Sequence, residues 1–470
     1  MTLIFIWLEK SIHFIYVILI IVFCTICNSL FASLCAGRID EILTQPKKEK
    51  VVIVDPYSSG FNLAEGFYEK GYEVIHVKTM AEVSPIFGNP RTSRPEMFSK
   101  FIDVGERSKA DVAEEIKNLN PKIIIAGMES GVSYADELAA KIGTSYSNGI
   151  HLSEARRNKY LMGETIREKS IDAVRQTLAS SSQQALKWIE DSSLSYPVFV
   201  KPVKAGGTFG VRKCFNSQDV EKAFNEVVGK KDLYNNITDD RLLVQEFLEG
   251  PEYAVNIVGR DGKYVVTDIW QYTKIYIPGH GDIYDVDRMI KYEGETQSIL
   301  INYAMKVLDA LEIKNGPSHM EIKMVPNRGP VLVEVGARAA GAGMPKYSQI
   351  VLPPETNQLA LTIESATDPE KFLERAARQE GYKLNSSVYI VALNSQKEGQ
   401  KLNRNLADEK IRTLLSFKEI TLNYGDGANV SRTIDEETKI GQVVLSNSNL
   451  EQLENDYKQI RKWENEIFFR

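Results

Sequence analysis

The run from Gly316 to Met324 places His319, Glu321 and Lys323 at alternate positions, and the run from Val331 to Arg338 carries Glu334 among apolar neighbours. Alternation puts His319, Glu321 and Lys323 on one face of a strand. The turn Pro326 to Pro330 folds a second strand back beside it, so that Glu321 and Glu334 can face each other. Two carboxylates held together in a partly buried site repel unless a proton or a cation lies between them, and hard oxygen ligands of this kind favour magnesium. By itself the pattern is equally that of a hairpin with two solvated acids.

A second group lies upstream. The strand expected over Tyr196 to Pro202 ends in Lys201, and the stretch Ala205, Gly206, Gly207, Thr208, Phe209, Gly210 follows closely. A loop this rich in glycine brings backbone N–H groups against phosphate oxygens, and the adjoining ammonium neutralises their charge. The Gly-Lys-Ser/Thr ending and the following helix of a Walker loop are both missing. Further on, Leu242 to Glu246 reads as a buried strand that runs into an extended linker towards Val255. Extended backbone offers alternating N–H and C=O groups to an adenine edge, and acids there accept ribose hydroxyls.

The elements that must position these groups begin at Val51 to Pro56, a continuous apolar run typical of a buried parallel strand. The turn Tyr57 to Gly60, an amphipathic helix to Lys70 and a strand over Gly71 to Val77 complete the opening of a doubly wound sheet. A second such unit starts at Pro121 to Gly127 and passes through Glu129 into a helix around Tyr134 to Lys141. Ligands of open α/β sheets gather beyond the carboxyl ends of strands, so Glu129, Ser58 and Ser59 are candidates to line a substrate pocket. Helix capping is the alternative for Glu129. The Ser-Ser-Gly turn lacks the dinucleotide fingerprint, which excludes a nicotinamide or flavin reading here. Residues 151 to about 240 mix helices with a strand pair, and residues 241 to about 375 alternate strands and helices. In the remainder, Val388 to Ala392 reads as a strand and Asn449 to about Glu464 as a charged helix. With no chemical constellation, this last part reads as structural.

The order of these motifs, over roughly residues 50 to 375, resembles the ATP-grasp superfamily, and within it the carboxylate–amine ligases of the L-amino-acid ligase and carnosine-synthase type. The resemblance implies α/β and α+β multidomain architecture, with a Rossmann-like pre-ATP-grasp domain over 46–150 and an ATP-grasp domain of two α+β subdomains over 151–375; the apolar amino terminus adds a membrane anchor and linker over 1–45, and the change of character after 375 a small C-terminal α+β domain over 376–470. The resemblance further implies that Lys159 and Lys201 are the two nucleotide lysines and that Gly206, Gly207 and Thr208 belong to a mobile phosphate lid. Gln245, Glu246 and Leu248 fall on the adenine contacts, Glu252 on the ribose acid, and Lys274 on a phosphate contact. Glu321 and Glu334 match the two magnesium carboxylates, with manganese as a substitute metal. Arg338 matches an arginine that meets the acyl phosphate or the substrate carboxylate, and His319 occupies the place of a cationic substrate contact.

Such a site activates a carboxylate with the γ-phosphate of ATP and passes the acyl phosphate to an amine. The implied partners are therefore small carboxylate and amine substrates, and a homodimer is left open. In one place the pattern departs: the second metal strand of the family usually reads acid-x-Asn, whereas Glu334-Val335-Gly336 leaves no side chain at the third position. The rival readings are a degenerate ATP-binding sensor at a membrane and a carboxylase of the biotin-dependent type, which shares the nucleotide fold.

Composition agrees with a globular body. Hydrophobic residues at 43% and charged residues at 26% exclude disordered and fibrous classes, and a net charge of −6 argues against nucleic acid as a partner. The amino terminus differs: no Asp, Glu, Lys or Arg lies between Lys10 and Arg38, a stretch long and apolar enough to span a bilayer. The flanking charges predict a transmembrane anchor with the body in the cytoplasm; a cleaved secretory signal peptide is the rival, disfavoured by its poor basic start and weak small-residue cleavage site, and a misassigned start would instead leave a soluble cytoplasmic protein. Cys24, Cys27 and Cys35 lie in or beside this stretch, leaving Cys214 alone in the body, so no disulfide framework forms there.

Overall fold

Val51 to Val54, buried aliphatic residues in succession, sit at the centre of a parallel sheet because both of its faces are covered. The computed structural model describes residues 48–80, 82–83, 93–232 and 237–470. The membrane anchor expected over 1–45, with its three cysteines, lies outside the described residues. Among those described, no helix is long and apolar enough to cross a membrane. The first sheet comprises β1 (Lys50–Val54), β2 (Glu73–Lys78), β3 (Phe98–Asp103) and β4 (Ile123–Ala126) in the order β3-β2-β1-β4. Val51 and Ile53 pack against Leu63 and Phe67 of the helix Ser59–Glu69, while Val52 and Val54 face Val112, Ile116 and Leu138 on the other side. The first helix enters so close to the end of β4 that a Cβ on Gly60 would lie 2.4 Å from the carbonyl oxygen of Gly127.

The second sheet is antiparallel: β5 (Gln176–Ala179), β6 (Val198–Pro202), β7 (Arg212–Cys214) and β8 (Leu242–Glu246), ordered β5-β8-β6-β7. Val198, Val200, Leu242 and Val244 point to one face, where Ala185, Ile189, Val220 and Phe224 of two helices cover them. Alternation therefore sends Phe199, Lys201 and Gln245 to the opposite face.

The third sheet is the largest: β9 (Glu252–Arg260), β10 (Lys263–Tyr276), β11 (Asp282–Ile290), β12 (Gly316–Val325), β13 (Gly329–Gly336), β14 (Ser387–Leu393), β15 (Phe417–Leu422) and β16 (Gly441–Asn447). Its order is β13-β12-β9-β10-β11-β14-β16-β15. The helix Glu295–Ala310 supports it through Leu300, Ala304, Val307 and Leu308. β14 pairs with β11 across Val286 to Arg288, so the sheet runs on past the boundary expected at residue 376 without a break. The helix Leu450–Glu466, capped by Asn449, closes this end through Leu453 and Ile460 against Val391, Val443 and Leu445.

Candidate active site

In the β12–β13 register Glu321 stands directly opposite Glu334, and a bulge follows at once. Both acids are engaged. Tyr284 Oη donates to Glu321 Oε1 at 3.3 Å, and His319 Nε2 lies 3.5 Å from the same oxygen. Glu334 Oε2 lies 2.8 Å from Lys159 Nζ, which also donates to the Ala205 carbonyl at 2.7 Å. Lys159 is fixed as the first residue of the helix Lys159–Glu168 by the Asn158 cap, whose side chain accepts from the N–H groups of Tyr160 and Leu161. Burial pushes the Glu334 carboxyl up, but the Lys159, Lys201 and Arg338 cations outweigh it and hold the group below the usual carboxylate range.

Lys201 differs from its neighbours. It is the penultimate residue of β6, on the face turned away from the helices and only 8% exposed, and its ammonium makes no hydrogen bond or ion pair among the described residues. Burial and the Lys159 ammonium lower it to about 8, against the pull of Glu334, Glu321 and Glu252. A buried, unpaired ammonium is a receptor for an anion. The glycine loop lies beside it, with Gly207, Thr208 and Gly210 at φ values of 61°, 62° and 67°. Successive residues in this region turn backbone N–H groups towards a common anion-binding concavity.

The linker segment and its surroundings hold charges in pairs. Glu252 Oε1 accepts from Lys274 at 2.6 Å, and Lys323 lies 3.4 Å from Oε2. Burial alone would lower Lys274, yet Glu252 and Glu321 hold it above its ordinary value. The side chain of Gln245 donates to Gln176 at 2.9 Å, and Glu246 is held by Arg175 and Arg328 at 2.9 and 2.8 Å. Leu248 packs with Val174 and Val331.

At the mouth of the parallel sheet, Glu129 follows β4 and meets two guanidinium groups: Arg157 Nη1 at 2.6 Å and Arg338 Nε at 2.9 Å. Burial raises this carboxyl, but the two arginines win and leave it below its ordinary value. Gly336 makes the arrangement fit, since a Cβ there would lie 2.6 Å from Glu129 Oε2 and 3.2 Å from Arg338 Cζ. The place of the missing side chain is thus taken by the Glu129–Arg338 pair.

Every position singled out from Lys159 to Arg338 as a nucleotide, metal or substrate contact lines one cleft, and Glu129 lines it too. Ser58 and Ser59 do not. Ser59 is buried, and its hydroxyl donates to the Ala340 carbonyl at 2.5 Å, a tie between the parallel sheet and the loop after β13. His319 reaches the cleft, but its ring is occupied: Nδ1 lies 2.7 Å from Asn256 Oδ1 and Nε2 lies 3.4 Å from Tyr272 Oη. The carboxyl-terminal part, read as structural, also reaches the cleft through Ile390, Ala392, Glu436, Lys439 and Gln442. The Glu436 N–H donates to the Gly207 carbonyl at 3.3 Å, joining this part to the glycine loop. The sequence gives no warning of that contact, because it depends on β14 and β16 extending the large sheet.

Residues 194–346 match the family model described as the ATP-grasp domain. This chain carries an ATP-grasp domain. The match holds Lys201, the glycine loop, the linker segment and both hairpin acids, and leaves Lys159 and Glu129 outside. Dapdiamide A synthase of Enterobacter agglomerans is 29% identical over 431 residues, covering 90% of this chain and 97% of that protein. A D-alanine–D-alanine ligase of Bacillus cytotoxicus is 29% identical over 120 residues, 24% of this chain and 31% of the ligase. Among solved structures, the L-amino acid ligase of Bacillus licheniformis superposes with a TM-score of 0.68 at 17% identity, covering 89% of this chain and 98% of that one. Carboxyaminoimidazole ribonucleotide synthase of Aspergillus clavatus, complexed with ATP, gives 0.66 at 14% identity, covering 89% and 99%. At these identities the structural likeness establishes the ATP-grasp multidomain fold.

Proposed function

We propose that this protein is an ATP-dependent ligase that joins a carboxylate, an amino acid, to an amine through an acyl phosphate, releasing ADP and phosphate. The observation that carries the reading is Lys201: a buried ammonium without a partner, set between a glycine loop and a cross-strand pair of carboxylates. An anion is required there, and the triphosphate of ATP supplies it. The ligase activities named for the similar proteins, dapdiamide synthesis and D-alanine–D-alanine ligation, support the reaction class.

The residues divide the work. Lys159 and Lys201 neutralise the phosphates, and the main chain of residues 247–251 reads the base, because the side chains of Gln245 and Glu246 are engaged elsewhere. Glu252 lies where it can accept the ribose hydroxyls. Among the described residues no group of three or more His, Cys, Asp or Glu gathers. Glu321 and Glu334 therefore suit a magnesium ion that takes its remaining ligands from phosphate and water. When bound there, that ion supplies charge neutralisation during phosphoryl transfer. Arg157 and Arg338 provide two positive charges against the single charge of Glu129, and so attract the substrate carboxylate. The glycine loop, held by the Glu436 N–H, covers the cleft and keeps water from the acyl phosphate.

The test is phosphate release by the purified chain with ATP and amino acids supplied singly and in pairs. Release that requires both an acid and an amine is the expected result. No substrate-dependent release across the panel would favour the nucleotide sensor, and release that depends on bicarbonate would favour the carboxylase.

A further inference from the structure

We propose that Asp287 is the subsite for the primary ammonium group of the amine substrate, an inference that rests on the ligase reading. Asp287 lies on β11, in a row that crosses the large sheet from Lys323 through Glu252 and Tyr272 to Asp287 and Ile390. It lines the cleft and is 6% exposed, Oδ1 has no hydrogen-bond partner, and the carboxylate makes no ion pair among the described residues.

The other acids on the sheet and the opposite wall are met: Glu334 by Lys159, Glu252 by Lys274 and Lys323, Glu129 by two arginines, Glu321 by Tyr284. The charged groups facing Asp287 are Glu436 and Lys439 from the loop before β16, and Lys274 and Glu321 from the sheet. Neither lysine is available to it. Lys274 is held by Glu252 at 2.6 Å and Lys439 by Glu436 at 2.5 Å. Burial first, and the Glu436 charge second, push the Asp287 carboxyl well above its ordinary range. The cleft therefore contains an acid whose ionised form lacks only a cation.

The surroundings select the kind of cation. One carboxylate cannot supply the several oxygens a divalent metal needs. Tyr272 and Tyr284 stand edge to face beside it with ring centroids 5.2 Å apart, and Ile390 and Ala392 continue the wall. Aromatic and aliphatic walls around one acid suit an organic ammonium. The same cleft also holds a group of reverse polarity, the two guanidinium groups around Glu129. The acid substrate is drawn to the arginines and the amine to Asp287.

Asp287→Asn keeps shape and removes charge, and the ligase offers a control nucleophile, since hydroxylamine is largely uncharged at neutral pH and attacks an acyl phosphate to give a hydroxamate. With the full chain, Asp287→Asn is expected to raise the KM of the amine amino acid roughly 10- to 100-fold. The KM of ATP and hydroxamate formation at saturating hydroxylamine should stay within about twofold, a smaller change than the loss of one charge-assisted contact produces. An unchanged amine KM overturns the proposal, as does a hydroxamate rate that falls in step with amide formation. Should the Asn variant not fold, Asp287→Ser carries the same expectations. A wild-type protein that releases no phosphate and forms no hydroxamate with any carboxylate sinks the ligase reading and this inference with it. Normal hydroxamate formation with an unchanged amine KM sinks the Asp287 assignment alone.

Discussion

The hairpin β12–β13 and the strand β11 both present acids to the ATP-grasp cleft, but under opposite conditions. Glu334 is met by an ammonium and Glu321 by a tyrosine hydroxyl and a histidine, whereas Asp287 has a hydrogen-bonding oxygen without a partner. A paired acid belongs to machinery that is complete before the substrate arrives; an unpaired one leaves part of the binding to the substrate. Lys201 is the cationic counterpart of Asp287 on the facing sheet. The two unpaired charges mark where an anion and a cation enter, and the paired ones hold the walls between them.

The largest effect should come from the phosphate end. Lys201→Ala and Glu321→Ala are each expected to lower kcat/KM by about 10²- to 10³-fold, the scale seen when one transition-state charge contact is removed. In Glu321→Ala, nucleotide binding measured at equilibrium should weaken only partly, since both lysines remain. Full activity in Glu321→Ala would remove the metal assignment and with it the contrast between the two walls.

Next in size is Gly336→Asn, which restores the side chain usual in the family. It is expected to raise the KM of the acid substrate roughly 10- to 100-fold, because its Cβ meets the Glu129 carboxylate that Arg338 holds. Higher turnover in this variant would mean that the position is only a vacant metal ligand.

A smaller effect is the pH dependence of kcat/KM for ATP. The ammonium of Lys201 is the form that binds phosphate, and its pKa in the free protein is lowered to about 8. Activity should therefore fall as pH rises through about 8, and Lys201→Arg should lose that limb while keeping the charge.

The smallest expected effect is on stability. The folded state raises the Asp287 pKa, so its stabilising contribution is full below the ordinary aspartate value and is lost as pH rises through the raised one. Asp287→Asn should unfold a few degrees higher than wild type at neutral pH, a shift of about 2–4 °C. The difference should vanish near pH ~4, and calorimetry at both pH values checks it.

Legibility in the sequence follows the same division. Alternation within one hairpin gives the facing of Glu321 and Glu334, because a tight turn fixes the register. It fails on β11. Counting by twos from Tyr284 sends Asp287 to the far side, but Asp285 is an extra residue opposite the step from Thr273 to Lys274, and the bulge returns Asp287 to the cleft. Asp285, the extra residue, pairs with Arg461 at 2.7 Å and accepts from Tyr457 at 2.6 Å, beneath the last helix. The role of Gly336 was hidden for another reason: the carboxylate that occupies its space comes from Glu129, in a different sheet. The continuous apolar run at Val51 to Val54 was readable because burial on both faces needs no partner to be named.

The central claim is that the carboxylate substrate is activated by phosphoryl transfer. Its most direct test is to supply that substrate with heavy oxygen in the carboxyl group and analyse the inorganic phosphate formed during amide synthesis. An acyl phosphate intermediate predicts one heavy oxygen in each phosphate released; phosphate that forms with the amide but carries no label would contradict it.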